Sequence, residues 1–242
     1  MRYISRIICL LVLVTAVMLS ACHSEAAADN ESNTTMTENQ NTQDACILSS
    51  PKTKGSISVE EALVSRRSRR SFNDTALSID QLSQILWAAY GISDGNNLRT
   101  SPSAGALYPL EIYAVIGNIT GIEPGVYKYI SREHKIIRKI STDVRDELSA
   151  AALNQSMIKD APLTVVYTAV FDSVIERYGD RGRERFVFIE TGHSAQNIYL
   201  QAEALGLGTC AVGAFTDDKV SELLELPTDE IPLYIMPVGH HK

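Results

Sequence analysis

The stretch 183–214, RERFVFIETGHSAQNIYLQAEALGLGTCAVGA, decides which fold we predict for this chain. It predicts a long helix over Arg183–Leu205 that Gly206 ends, followed by a strand over Thr209–Ala214. A helix that stops at glycine and runs into small residues could turn backbone amides towards a ligand. Tight packing of the helix on the strand would explain the same glycines, so both interpretations stand at this point.

The elements around this stretch indicate the fold class. Ser58 with Glu61, and Ser78 with Gln81, form capping boxes at the starts of two helices. Helices and strands follow one another without a regular β-α-β alternation, which predicts an α+β fold. The segments with the composition of strands are Leu110–Ile116, Gly125–Ile130, Ile136–Ile140, Leu163–Val170 and Leu233–Val238.

Residues 1–21 have the features of a secretory signal peptide. Arg2 and Arg6 precede an apolar run that is too short to span a bilayer comfortably, and small residues lead to Cys22. This pattern resembles a bacterial lipobox, and the resemblance implies that Cys22 carries the lipid and begins the mature protein. The chain would then be lipid-anchored in the cell envelope, on the extracytoplasmic side of a membrane. An uncleaved anchor and ordinary secretion are the alternatives.

The next segment, 22–56, is predicted to be a flexible tether. It is rich in Asn, Thr, Ser, Glu and Ala and has almost no large apolar side chains. Burial therefore cannot offset the entropy that ordering this segment would cost. The remaining residues, 57–242, are predicted to form one domain.

The charge of the chain excludes one class of function. Its 22 Lys and Arg against 29 Asp and Glu give a net charge of −7. Loss of Arg2 and Arg6 with the signal peptide leaves 20 against 29, a net charge of −9. A general nucleic-acid-binding surface is therefore not expected. The cysteines show neither a disulfide framework nor a CxxC pattern, so no metal site is predicted.

Against this acidic background, four arginines stand together at positions 66, 67, 69 and 70. Their guanidinium groups and the Ser68 hydroxyl could surround a phosphate with charge-assisted hydrogen bonds. A solvated basic helix end is the alternative, because cations also suit the helix dipole.

A second segment, SPSAGALYP at 101–109, leads into the strand Leu110–Ile116. Its small residues, with Gly105 among them, would let backbone N–H groups approach a flat ligand closely. Tyr108 offers a ring for stacking on such a ligand. A plain turn is the alternative interpretation.

Taken in order, RRSxRxF at 66–72, PSAGxLYP at 102–109 and LGLGTC at 205–210 resemble the FMN-dependent nitroreductase family. The resemblance covers residues 59–240. Within that family, the sequences at 102–111 and 192–197 are most similar to the SagB-type dehydrogenases, a branch that includes azoline oxidases of peptide natural-product pathways. The resemblance implies an α+β fold with a mixed sheet flanked by helices, a long central helix, a non-covalent FMN and a homodimer.

The resemblance also implies a clamp for the FMN phosphate and ribityl chain. Many relatives add a cation to this clamp from a tail beyond the final strand. This chain ends soon after its final strand, and His240 or Lys242 could supply the missing cation. The residues that match the clamp are Arg66, Arg67, Ser68 and Arg70.

Five further residues match positions around the flavin ring. Pro102, Ser103 and Gly105 belong to a loop that lies against the isoalloxazine, usually contributed by the other subunit. The backbone N–H groups of Gly213 and Ala214 would meet the N5 and O4 edge and stabilise charge on the reduced ring. No catalytic side chain is assigned, because hydride transfer needs orientation above the flavin more than it needs an acid.

The expected activity is hydride transfer through flavin N5, with a small-molecule or peptide substrate whose identity is open. NAD(P)H is scarce outside the cytoplasm, so the substrate itself or a membrane-linked electron carrier is expected to supply the hydride. The alternative is a lipoprotein that binds flavin or another ligand on a nitroreductase-like fold without catalysis. Azoline oxidation is not predicted, because the only adjacent Lys-Tyr pair, Lys128-Tyr129, falls in a predicted hairpin.

Overall fold

The computed structural model describes residues 45–242. The predicted signal peptide, Cys22 and the tether as far as residue 44 lie outside the described residues and stay predictions. Within the described range, no helix combines the length and the apolar character that crossing a bilayer would require.

One antiparallel sheet is the centre of the described domain. Its strand order is β1-β4-β3-β2-β5-β7-β6, and every neighbouring pair in it is antiparallel. Parallel pairing occurs only in isolated bridges of the described chain, such as Ser68 with Thr209. The strands are β1 (Ala45–Ile47), β2 (Leu110–Ile116), β3 (Gly125–Ile130), β4 (Lys135–Ile140), β5 (Leu163–Val170), β6 (Gly208–Thr209) and β7 (Glu230–Gly239).

Helices pack on this sheet, and two of them begin with the predicted capping boxes. The Ser58 and Ser78 side chains each accept a hydrogen bond from the backbone amide three residues on. In return, the side chains of Glu61 and Gln81 accept the backbone amides of Ser58 and Ser78. The sheet and the helices that pack on it confirm the α+β class. The mixed sheet that the resemblance implies is wrong, because every pair of neighbouring strands in the sheet is antiparallel. The helices are α1 (Val59–Ser65), α2 (Ile79–Tyr90), α3 (Arg145–Ala151), α4 (Met157–Asp160), α5 (Asp172–Tyr178), α6 (Val187–Ala204) and α7 (Asp217–Leu223).

The sheet separates two hydrophobic clusters. Alternate residues of β2 enter different clusters, with Ile112 and Ala114 in one and Tyr113 and Val115 in the other. This alternation follows from the two-residue period of a strand. Helices α2 and α6 pack against each other and contribute buried side chains to the first cluster.

Two elements differ from the sequence prediction around the central helix. A π-helical turn over Gly182–Phe186 precedes α6, so α6 itself begins at Val187. The strand predicted over Thr209–Ala214 is present only as Gly208–Thr209, although Val212 still forms an isolated antiparallel bridge with Ile235 of β7. Between the two, the Ala211 amide donates to the Tyr199 side chain.

The last part of the predicted tether belongs to the domain. Ala45–Ile47 pairs with β4, and Leu48 beside it is buried. The Ser49 carbonyl accepts hydrogen bonds from Ser83 Oγ at 2.5 Å and from His134 Nε2 at 3.0 Å. The folded region thus begins at least twelve residues before the predicted boundary at 57. An edge strand of three residues with one buried leucine is too short a signal to stand out in a polar segment.

His134 makes the attachment of this segment sensitive to pH. Burial lowers the pKa of its imidazole, and the hydrogen bond to Ser49 opposes that effect only in part. The unfolded chain therefore takes up a proton at this residue before the folded chain does. The contribution of His134 to the free energy of unfolding is complete above the pKa of the unfolded chain, about 6.5, and is lost as the pH falls below that value.

We expect His134→Asn to flatten the decrease in unfolding free energy between about pH 7.5 and pH 5.5. Asparagine suits the left-handed backbone of this position, where φ is 45°, and it does not titrate. Urea unfolding at the two pH values measures the difference. An equal decrease in the wild type and the variant would contradict this assignment.

Candidate functional site

The arginine segment, residues 66–71, lies between the edge of the sheet at β6 and the C-terminal residues. Ser68 forms a parallel bridge with Thr209, and the Arg69 amide donates to the Thr209 carbonyl at 2.9 Å. Farther on, the Lys242 amide donates to the Ser71 carbonyl at 3.1 Å. The C-terminal tail, including His240, therefore lies beside the predicted phosphate clamp.

Ser68 and Arg66 meet one side chain of α6. The Arg66 guanidinium carbon lies 5.1 Å from the ring centroid of Tyr199, and Ser68 Oγ is 3.0 Å from Tyr199 Oη. The same hydroxyl oxygen accepts the Ala211 amide at 2.9 Å. Tyr199 thus joins the arginine segment to the residues just before Gly213. This role of Tyr199 is not predictable from the sequence, because a half-buried tyrosine on a helix carries no signal of its partners.

Arg67 is oriented differently from its neighbours. Its Nη1 donates to the carbonyls of Val64 at 2.9 Å and Arg66 at 2.8 Å, which satisfies carbonyl groups at the C-terminal end of α1. Its amide donates to Glu203 Oε1 at 3.3 Å. Part of its guanidinium is therefore engaged by the protein, whereas Arg70 makes no hydrogen bond with any residue of 45–242 through its side chain.

The charge of this segment is not balanced within the described chain. None of the arginines at 66, 67, 69 and 70 forms an ion pair with a carboxylate of residues 45–242. In the same range, Arg69 Nε and Thr209 Oγ1 are buried polar atoms without a hydrogen-bond partner. Unpaired guanidinium groups beside unsatisfied buried polar atoms suit a ligand with a phosphate.

Nearby Cys210 is a packed residue. It is fully buried, its Sγ lies 3.5 Å from Met157 Sδ, and burial raises the pKa of its thiol. Arg70 lowers that pKa by a smaller amount. A buried thiol of this kind is poorly reactive.

Gly213 and Ala214 present free backbone donors just beyond Ala211, which Tyr199 links to Ser68. Both residues are exposed, and their amides donate to no residue of the described chain. The Ala214 carbonyl accepts Gln155 Nε2 at 3.0 Å, which fixes the local backbone. The two amides are therefore held in place and open to an acceptor on a ligand.

The loop 101–109 is anchored from its first residue. Ser101 is buried, and its hydroxyl donates to the Ala89 carbonyl at 3.1 Å and accepts from Asn197 Nδ2 at 3.0 Å. Ser103 Oγ accepts the Tyr108 amide at 2.9 Å. Pro102, between the two serines, is exposed. The loop is thus a rigid surface and not a plain turn.

Gly105 lies at the exposed tip of this loop with a φ of 62°. A Cβ atom there would come within 2.6 Å of Tyr178 Oη and 3.1 Å of the Arg177 guanidinium carbon. Sequence reasoning missed these two neighbours, because they lie on α5, a helix that it did not predict.

A buried carboxylate supports the loop from below. Glu190 on α6 accepts a short hydrogen bond from Tyr90 Oη and a further bond from the Ser103 side chain. Burial raises the pKa of Glu190, and hydrogen bonds from Ser103 and Tyr90 with the charge of Arg99 oppose this effect. The burial and the carboxylate together also raise the pKa of Tyr90. This carboxylate therefore lies beneath the loop, bonded to Tyr90 and close to Ser103.

The predicted site has two halves, the loop 101–109 and the arginine segment, and they attach to different sides of α6 in the described chain. Asn197 holds the loop, whereas Tyr199 holds the arginine segment. Residues two positions apart on a helix point in different directions. Likewise, Lys128 and Tyr129 point to opposite faces of β3: Lys128 pairs with Glu111 at 3.3 Å, whereas Tyr129 contacts His134.

Known proteins resemble this chain in sequence and in fold. The model of the nitroreductase family matches residues 63–240. A protein of Methanocaldococcus jannaschii that is named among the nitroreductases is 47% identical over 183 residues, which are 76% of this chain and 91% of that protein. A crystal structure from Ralstonia eutropha, also named among the nitroreductases, has a TM-score of 0.73 at 28% identity and covers 82% of this chain and 90% of its own.

A second relative belongs to a peptide-processing system. The trifolitoxin-processing protein TfxB of Rhizobium leguminosarum bv. trifolii is 31% identical over 179 residues, which are 69% of this chain. The matched part of this chain spans 48% of the length of that protein. Its activity and partners therefore belong to a longer protein.

We expect Gly105→Ala to lower the stability of the protein. A left-handed backbone costs a residue with a Cβ about 1–2 kcal/mol, and the contact with Tyr178 adds to that cost. For a domain of this size, the melting temperature should fall by roughly 2–8 °C. Gly95→Ala is the matched control, because nothing lies within 4 Å of its Cβ position. Equal melting temperatures for the two variants would refute the strain at Gly105.

Proposed function

The chain belongs to the nitroreductase family, and from this premise we propose that it is an FMN-dependent oxidoreductase of the SagB-type dehydrogenase branch. Members of the family use flavin cofactors. The observation that carries the proposal is the arginine segment without ion pairs, which Tyr199 links to the backbone before Gly213. The relative from trifolitoxin processing supports the choice of branch.

Residues of this chain fit the phosphate and the ribityl chain, the two polar parts of FMN outside its ring. Arg66 and Ser68 both meet Tyr199 of α6, and Arg70 follows two residues later with an exposed side chain. We assign the phosphate and ribityl chain to these three residues, with Arg67 acting at the end of α1. Lys242, whose amide is bonded to Ser71, is available to add a cation to the clamp.

Gly213 and Ala214 are assigned to the flavin ring. Their exposed amides have no acceptor within residues 45–242, and the bond from Gln155 holds the Ala214 carbonyl. Bound FMN supplies a site that accepts a hydride and releases it to a second substrate. Fixed N–H donors at the edge of the ring stabilise the charge that arrives with the hydride. Orientation of the substrate by the loop at Ser103 and Gly105 completes this role.

A homodimer is part of the proposal, because the two halves of the site contact different sides of α6. Large apolar side chains remain exposed on the helices beside the site. Phe188 and Ile189 at the start of α6 are 52% and 48% exposed, and Leu63 and Val64 on α1 are 52% and 73% exposed. Burial of such side chains against a second copy is the usual source of association energy. The loop of one copy would then cover the flavin of the other.

We also propose that the protein acts in the cell envelope, lipid-anchored through Cys22. The motive is the sequence of residues 1–22. In this location the organic substrate itself, or a membrane-linked electron carrier, would be the hydride donor in place of NAD(P)H. Rapid, saturable reduction of the purified protein by NADPH would remove the motive for this choice of donor.

Arg70→Ala tests the flavin clamp. We expect the dissociation constant for FMN to rise about 10- to 100-fold, because one charge-assisted contact contributes about 1.5–3 kcal/mol. Folding should be unaffected, since the Arg70 side chain is exposed and bonded to no described residue. Titration with FMN, followed by absorbance or flavin fluorescence, measures the change.

Lys139→Ala is the control, because it removes an exposed cation on β4. Equal FMN affinity in the wild type and Arg70→Ala would exclude the clamp. A wild-type protein that binds no FMN would exclude the flavoenzyme and favour the non-catalytic ligand-binding lipoprotein. Bound FMN that is reduced by dithionite but reoxidised by no acceptor would also favour that second candidate.

Ile189→Glu tests the dimer. We expect the wild type to sediment as a dimer and the variant as a monomer with weaker FMN binding, because a charge would have to be buried in the interface. Ile47→Glu is the matched control, since Ile47 is 77% exposed on the edge strand β1. A wild-type monomer with full FMN affinity would contradict the shared site.

A further inference from the structure

A second cluster of cations lines a pocket next to the loop 101–109. The pocket has a volume of about 330 Å³ and lies where β2 begins and β3 ends. This volume is at the lower end of the range for small-molecule sites. The residues that define its chemistry are Tyr90, Arg99, Glu111, Lys128, Ser131 and Arg132.

Arg99 is held rigidly in the wall of this pocket. Its guanidinium carbon lies 4.1 Å from the ring centroid of Tyr90 and 4.9 Å from that of Tyr108. Its Nη1 donates to Ser131 Oγ over a long 3.4 Å. Its Nε is buried and has no acceptor among residues 45–242. A fixed guanidinium with unused donors is preorganised for a planar anion.

The lining of the pocket has three cations, Arg99, Lys128 and Arg132, and one carboxylate, Glu111. Lys128 is neutralised by Glu111 at 3.3 Å and Glu230 at 3.5 Å. Arg99 and Arg132 form no ion pair with any described carboxylate. The charge of Arg99 does reach Glu190, but that carboxylate takes its hydrogen bonds from Tyr90 and Ser103. Two guanidinium groups therefore remain for a ligand.

The pocket is connected to the loop by Tyr108. The Arg99 amide donates to Tyr108 Oη at 3.3 Å, and the Tyr108 amide donates to Ser103 Oγ at 2.9 Å. Arg99 is thus linked through Tyr108 to the loop that is assigned to the flavin.

We propose that this pocket binds the carboxylate or phosphate of a small-molecule substrate, with Arg99 and Arg132 as its anion ligands and the flavin acting on the other end of that molecule. The assignment of the anion to a substrate rests on the proposed function. It makes the substrate an organic acid or a phosphorylated small molecule, in preference to a neutral one.

The test uses the full chain, with and without FMN, and three probes: succinate, inorganic phosphate and the neutral analogue succinamide. Isothermal titration measures binding to the wild type, Arg132→Ala and Arg99→Lys. Arg132 is exposed and its side chain bonds to no described residue, so its loss should leave folding intact. Arg99→Lys keeps the charge and removes the planar fork.

We expect succinate or phosphate to bind and succinamide not to bind. Each arginine variant should weaken anion binding about tenfold or more, whereas Lys139→Ala should not change it. Equal binding of succinate and succinamide, or binding that neither variant alters, would overturn the proposal. So would an anion that binds only without FMN, since it would then occupy the flavin clamp.

The two proposals fail separately in this experiment. FMN binding without any anion binding leaves the oxidoreductase standing and removes the second site. Arginine-dependent anion binding in a protein that takes no FMN keeps the anion site and removes its link to a flavin reaction.

Discussion

The burial of α6 against the sheet is the constraint on which the rest of the structure depends. Polar side chains on a buried helix need partners, and several of those on α6 take theirs from the loop 101–109 or from the arginine segment. A change in the position of this helix would therefore move the whole site at once. The contacts are Glu190 with Tyr90 and Ser103, Ser194 with Ala89 and Tyr167, Asn197 with Thr100 and Ser101, Tyr199 with Ser68 and Ala211, and Glu203 with the Arg67 amide.

The same constraint separates the parts of the site. A straight helix cannot turn Asn197 and Tyr199 in one direction, so the loop and the arginine segment are held on different sides of it. A flat ligand with a charged tail needs both a covering surface and an anion clamp. The clamp of one copy could use the covering loop of a second copy. That arrangement would explain two observations together: apolar side chains are exposed on α1 and α6, and the loop and the clamp are held apart. Dimerisation would then be a condition for binding and not only for stability.

Local signals in the sequence predicted the local structure. Contacts between residues that are far apart in the sequence were not predicted. The capping boxes at Ser58 and Ser78 and the strand Leu163–Val170 depend on neighbours within a few positions, and all three are present. The Ala211 amide, just beyond β6, donates to Tyr199 twelve residues away, and no periodicity records that bond. The site followed the same rule. Motifs indicated which segments belong to it, but only the fold separates Arg67, at the end of α1, from Arg66 and Ser68 at Tyr199.

Buried polar atoms without partners also connect stability with ligand binding. In the described chain they are Arg69 Nε, Thr209 Oγ1, Arg99 Nε and Arg138 Nε. Arg138 is otherwise satisfied, since its Nη2 donates to two carbonyls at 3.1 Å. Arg69 and Arg99 belong to the two groups of arginines that lack ion pairs, and the Thr209 carbonyl accepts the Arg69 amide. Each unsatisfied group costs about 1–3 kcal/mol, which a bound anion could recover. Ligands that bind only the folded chain raise its stability with their concentration, so this protein gives up stability where its ligands are proposed to bind.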